Sequence, residues 1–143
     1  MKTILLVHGA NLNLLGKRDV AHYGVLTLKK LQSLLQYRAK TIGFKVKAFQ
    51  SNHEGALIDF LQKQSPKASG IIINPGAFTH YSYALHDALL DANLPVVEVH
   101  LSKVDKREAW RKASVTAPAC KKVIGGKKIK GYFEALDFLR KTV

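Results

Sequence analysis

A three-layer α/β sandwich, with one parallel sheet covered by helices on both faces, is the fold this sequence predicts. Short β-branched runs alternate along the chain with segments of helical periodicity, the signature of repeated strand-helix-strand units. The run Ile71-Ile72-Ile73 shows no polar alternation, which suits a middle strand of a parallel sheet, buried on both faces. With 143 residues the chain fits one domain, expected over 1–143, and is long enough to bury a sizeable core.

Taken in order, the first strand is Ile4 to Val7. Thr27 is placed to cap a helix whose Leu28, Leu31, Leu34, Leu35 and Ile42 follow helical spacing, and Gly43 stops it. Phe44 to Phe49 alternates Phe44, Val46 and Ala48 as a second strand. Ser51-Asn52 then reads as the cap of a helix through Leu57, Ile58 and Leu61 that ends at Ser65-Pro66. After the isoleucine strand, Asn74-Pro75-Gly76 turns the chain. A helix from Ser82 to Asp91 turns Ala84, Leu85, Ala88 and Leu89 inward. Pro95 precedes a strand from Val96 to His100, and Lys122 to Ile124 is the fifth strand. Gly125-Gly126 breaks the chain before a last helix with Tyr132, Phe133, Leu136 and Leu139 as its buried stripe. Right-handed crossovers between five such strands give the flavodoxin-like order 2-1-3-4-5.

Bulk properties narrow the function less. At 47% hydrophobic and 23% charged the composition is that of an ordinary globular protein, and no apolar run approaches the roughly 20 residues of a membrane span. Ile4-Leu5-Leu6-Val7 is too short an apolar block for a secretory signal, so a cytoplasmic location is expected. The lone Cys120 permits no internal disulfide; a buried thiol and a nucleophile are its two readings. The net charge of +13 implies an anionic partner, whether nucleic acid, an acidic surface or a small carboxylate or phosphate. Basic residues are spread through helices and loops rather than gathered on one recognition helix.

In open α/β sheets ligands sit beyond the carboxyl ends of the strands, which puts Asn74, Thr79 and His80 where chemistry happens; a capped turn with a surface histidine is the plainer alternative. After the first strand, 17 residues from His8 to Gly24 form too long a connection for a plain loop. They suit a lid at about 14–24 hinged at Gly16 and Gly24, or a surface loop with a solvated Arg18 and a packed Tyr23. The isolated glycines make neither a dinucleotide fingerprint nor a phosphate loop, and no Cys/His spacing suggests a metal. Glu98 and His100, two apart on a strand, project to one face, where the carboxylate can orient the imidazole; a salt bridge at a strand end is the competing reading. Asp105 can cap a short helix with Arg107 and Arg111 on one side, bracketing either an anion or solvent, and Trp110 between them reads as packing. Asn11, Arg18, Tyr23, Asn74, His80, His100, Ser102 and Arg111 thus share one rim, suited to a small polyhydroxylated carboxylate.

Four motifs together carry a family resemblance. They are Gly9-Ala10-Asn11-Leu12-Asn13-Leu14-Leu15-Gly16 with Arg18 and Tyr23-Gly24; Asn52-His53-Glu54-Gly55; Asn74-Pro75-Gly76-Ala77 with Thr79-His80; and Glu98-Val99-His100-Leu101-Ser102 with Arg107-Glu108 and Arg111. In these the chain resembles the type II 3-dehydroquinate dehydratases from its first strand to its last helix. The resemblance implies anti elimination of water from 3-dehydroquinate through an enolate, without metal or organic cofactor, in aromatic amino-acid biosynthesis or quinate catabolism. It implies Tyr23 as the base, with Arg18 favouring its phenolate, and Asn11 holding a water that stabilises the enolate. His100, oriented by Glu98, would protonate the departing hydroxyl. Asn74, Ser102 and the backbone near Leu101 would bind the carboxylate, His80 and Arg111 the ring hydroxyls. Asp87 would reach a neighbouring subunit's site in a homo-oligomer of trimers grouped into a dodecamer.

Some positions depart from the family's usual pattern: His8 and Ala10 replace Asn and Pro, and His86 replaces Arg. Lys103, Asp105 and Lys112-Ala113 replace Asn, His and a His-His pair, and Lys127-Lys128 makes a late loop more basic. Two other classes stay open on sequence alone. One is a basic nucleic-acid-binding module on this fold, whose binding would be salt-sensitive; the other is a non-catalytic regulatory relative.

Overall fold

The structure, a computed structural model, describes residues 1–17, 25–102 and 108–143. Five parallel strands, β1 (Lys2–His8), β2 (Phe44–Gln50), β3 (Gly70–Asn74), β4 (Val96–His100) and β5 (Lys122–Gly125), pair in the order β2-β1-β3-β4-β5. The connections carry α1 (Leu28–Thr41), α2 (Glu54–Gln64) and α3 (Tyr83–Asp91), and α4 (Ile129–Thr142) closes the chain. This is the flavodoxin-like α/β architecture that the alternation predicts. Among the described residues no helix is long and apolar enough to cross a membrane.

Strand pleat explains the unbroken apolar runs. Successive side chains point to opposite faces, so Ile4, Leu6, Ile72, Val97 and Val99 pack against Leu31 and Leu35 of α1 and Leu136 and Leu139 of α4. Leu5, Val7, Ile71, Ile73 and Val96 turn the other way, onto Leu57 and Leu61 of α2 and Leu85 and Leu89 of α3. All three isoleucines of β3 are fully buried, as a central strand requires. Each such side chain contributes about 1.5–3 kcal/mol relative to exposure.

Thr27 caps α1 as the sequence predicts, accepting from the Lys30 N–H, and Ser82, at the expected start of a later helix, caps α3 by accepting from the Leu85 N–H. Two expectations need correction. Ser51-Asn52 does not cap α2, whose N-cap is His53 without a side-chain bond. Ser51 Oγ accepts from the His53 N–H instead, and the Asn52 side chain turns toward β1. Ala84 is exposed rather than inward: Leu85, Ala88 and Leu89 set the buried face, and Ala84 stands about 100° round the helix from Leu85, at its edge.

The turns after β1 and β3 lie backbone to backbone. The Gly9 N–H donates to the Asn74 carbonyl at 2.7 Å, and a Cβ on Gly9 would sit 2.0 Å from the Pro75 oxygen. Gly76, at φ +63°, would place its Cβ 2.6 Å from the Ala10 oxygen. Only glycine at both positions lets the Asn11 and Asn74 turns approach this closely.

Candidate active site

The β4 end is the most heavily hydrogen-bonded part of the rim. Glu98 and His100 continue the face of Val96, and His100 Nε2 donates to Glu98 Oε2 at 2.6 Å. Glu98 is fully buried. Thr79 Oγ1, from the turn after β3, donates to its Oε2 at 2.8 Å, with Ser114 Oγ at 3.2 Å, while Thr116 Oγ1 donates to Oε1. Burial alone would raise the Glu98 carboxyl, but the hydrogen bond and charge of His100, then Thr116 and Thr79, outweigh it and hold the group below its ordinary value. An ionised Glu98 keeps the proton on Nε2, which leaves Nδ1 as the nitrogen able to serve a ligand. Glu98 and His100 thus form a buried carboxylate-imidazole pair inside a cage of hydroxyls.

That cage pins the neighbouring segments. The Val115 N–H donates to the Thr79 carbonyl at 2.6 Å, and His80 Nδ1 donates to the Ala113 carbonyl at 2.7 Å. Trp110 meets His80 edge to face at 5.1 Å and carries the Arg111 guanidinium 4.1 Å above its ring. Arg111 also pairs with Glu108. The short helix is a single 3₁₀ turn, Ala109–Arg111. Asp105 and Arg107, which would cap and flank it, lie outside the described residues. Leu101 is buried, and Ser102 beside it half-buried. The carbonyls of His100 and Leu101 accept from Gly126 and Lys128, fixing the end of β4 to the loop after β5.

On the opposite sheet face, Asn74 continues the line of Ile72 and His8 the line of Leu6. Asn74 Oδ1 accepts from the Gly76 N–H, and its Nδ2 donates to the Tyr132 hydroxyl of α4, each at 3.1 Å. Asn11 has φ 69° in the left-handed region, with its N–H donated to Asn52 Oδ1 at 2.8 Å. Gln50 Nε2 braces this from β2, donating to Asn52 Oδ1 at 3.1 Å and the Gly9 carbonyl at 3.2 Å. Asp87 is on α3, exposed, beside His86 Nδ1 at 3.1 Å. Arg18 and Tyr23 lie outside the described residues.

The structure thus joins Asn11, Asn74, His80, His100 and Arg111 through contacting turns at the carboxyl ends of β1, β3 and β4. Sequence reasoning missed Asn52, Ser114, Thr116 and the hydroxyl of Tyr132; Ser114 and Thr116, two apart in an apolar stretch, were the one visible signal. Cys120 is a structural thiol: burial first, then the Glu98 charge and hydrogen bond, push it up to about 12, far from thiolate at neutral pH. Among the described residues no three His, Cys, Asp or Glu side chains gather to hold a metal ion.

Fold and site together define a flavodoxin-like α/β protein with a buried carboxylate-imidazole pair at the carboxyl edge of its sheet. The family model of dehydroquinase class II matches residues 2–140, and the chain belongs to that family. A 3-dehydroquinate dehydratase of Roseiflexus castenholzii is 50% identical over 139 residues, 97% of this chain and 88% of that one. Crystal structures of type II dehydroquinases superpose closely. The one from Butyrivibrio crossotus has a TM-score of 0.94 at 44% identity, covering 96% of this chain and 97% of that one. The one from Propionibacterium acnes has a TM-score of 0.95 at 33% identity, covering 99% and 97%.

Proposed function

We infer that this chain is a 3-dehydroquinate dehydratase that expels water to give 3-dehydroshikimate, a hydro-lyase of aromatic biosynthesis. The observation that carries this, beside family membership, is the His100 imidazole held by an ionised, buried Glu98. Elimination needs a base to take a proton from the carbon beside the ketone and an acid to protonate the departing hydroxyl. We assign the acid to His100, which delivers its Nδ1 proton while Nε2 stays bonded to Glu98. The electrons left by the first proton form an enolate; its collapse restores the ketone, forms the carbon-carbon double bond and releases water.

The base is assigned to Tyr23. A free tyrosine has a pKa of about 10, so at neutral pH only about one in a thousand is phenolate, and Arg18 is assigned to lower that value by its fixed charge. Asn11 holds the water facing the enolate oxygen. Asn74, Ser102 and the Leu101 backbone take the carboxylate, and His80 and Arg111 the ring hydroxyls. The carboxylate substrate also gives the basic chain an anionic partner without invoking nucleic acid. Tyr83, Asp87 and Leu90, at i, i+4 and i+7, are exposed on α3. The family resemblance implies a homo-oligomer, trimers building a dodecamer, with Asp87 on this face reaching a neighbour's site; sedimentation of the purified protein at the monomer mass would remove this part.

Purified protein mixed with 3-dehydroquinate should generate the ultraviolet absorbance of a conjugated enone. Absence of that signal at every pH between 5 and 10 would overturn the assignment. Tyr23→Phe should remove nearly all turnover while substrate binding stays within about tenfold, because the phenolate acts in the transition state. Retention of more than about a tenth of kcat would mean that Tyr23 is not the base.

A further inference from the structure

Tyr132 brings a buried hydroxyl to the site that none of the assigned chemistry uses. Its side chain is fully buried, yet its oxygen accepts from Asn74 Nδ2 at 3.1 Å across 58 residues of sequence. At the other end of the same amide, Oδ1 accepts from the Gly76 N–H at 3.1 Å. A backbone N–H only donates, so the oxygen end of the amide is assigned without ambiguity. The second hydrogen on Nδ2 is then the one left for a ligand. The nearby His8 ring, 6.5 Å from the Tyr132 ring, makes no hydrogen bond through either nitrogen among the described residues. Burial also pushes the Tyr132 phenol up, which keeps it a neutral hydroxyl.

We propose that Tyr132 is a positioning residue for substrate binding, locking the Asn74 carboxamide so that its remaining N–H is presented to the substrate carboxylate. This rests on the reading of Asn74 as a carboxylate ligand. Held only by Gly76, the amide would turn about a terminal torsion that is intrinsically broad. Held at both ends, it has one orientation. The carboxylate keeps its charge throughout the elimination, so its contacts are shared by ground and transition states, and loosening its donor appears chiefly in KM.

The test is Tyr132→Phe, which keeps the ring and its packing and removes one oxygen, with Tyr132→Met as a second variant. Expected is a KM raised about tenfold with kcat within about twofold. Asn74→Ala should raise KM at least as far, and adding Tyr132→Phe to Asn74→Ala should change KM no further. A tyrosine that serves stability alone would lower Tm and leave KM at the wild-type value. If Asn74→Ala raises KM and both Tyr132 variants leave it unchanged, the role of Tyr132 is overturned while the site assignment stands. If Asn74→Ala leaves KM unchanged, the carboxylate assignment of Asn74 fails first and this inference with it.

Discussion

Glu98 at the end of β4 and His8 at the end of β1 are both titratable, both fully buried, and opposite in what surrounds them. Glu98 has the His100 imidazole and the hydroxyls of Thr79, Ser114 and Thr116 within hydrogen-bond reach, and it is held charged. Among the described residues neither ring nitrogen of His8 has a hydrogen-bond partner, and burial lowers its pKa to about 3, so it is held neutral. Burial by itself therefore does not decide charge. Partners do: they keep a carboxylate ionised where desolvation alone would neutralise it, and their absence lets desolvation win at His8. The charged residue holds the imidazole to which acid catalysis is assigned, while the neutral one takes no part in the assigned chemistry.

Emptying the Glu98 cage should have the largest effect. Glu98→Leu leaves three hydroxyls and an imidazole without their acceptor and should cost about 3–5 kcal/mol of stability, measured by urea unfolding. Glu98→Gln, which keeps the shape, should cost less. A Glu98→Leu protein as stable as wild type would mean that the cage contributes nothing. His100→Ala comes next, with kcat expected to fall by roughly 10²-fold or more, the usual scale for a lost general acid. Wild-type turnover in that variant would reduce the pair to a salt bridge.

His8 supplies the opposite arm of the comparison. Its unfolded pKa is about 6.5 and its folded value about 3, so as pH falls below 6.5 the unfolded chain binds a proton that the folded one refuses. Stability contributed by neutral His8 is full above that pH and drains as pH falls, by about 2 kcal/mol between pH 7 and pH 5. His8→Met removes the titration, so the gap between its unfolding free energies at the two pH values should be smaller than in wild type by that amount. Equal gaps would show that His8 protonates in the folded state. The smallest change is Thr116→Val, which removes one of Glu98's donors and should cost about 1.5 kcal/mol. Because the Glu98 pKa is depressed, its stability is present above the ordinary carboxylate range, about 4.3, and is lost as pH falls through the folded value. Thr116→Val should move that loss to higher pH; an unchanged acid limb would mean that Thr116 does not act on the carboxylate.

The sequence by itself determined whatever depends on neighbours a few residues away. Period-two and period-3.6 patterns set the strands and helices, and the triplet of isoleucines marked the central strand. Thr27 was legible as a cap, and the spacing of Glu98 and His100 put both on one face, because a strand repeats every two residues. Local pattern failed where two segments compete for one side chain. Asn52 looks like a helix cap, yet only the pairing of β1 with β2 brings its oxygen to the Asn11 N–H, 41 residues away. Ser114 and Thr116 become donors to Glu98 only when their segment docks against the turn after β3. Tyr132 reads as one more apolar position on a buried stripe, and its hydroxyl meets Asn74 because α4 packs over the end of β3. The reason is common to all three: periodicity fixes the direction a side chain points, but which polar atom waits there is set by packing between elements far apart in the chain.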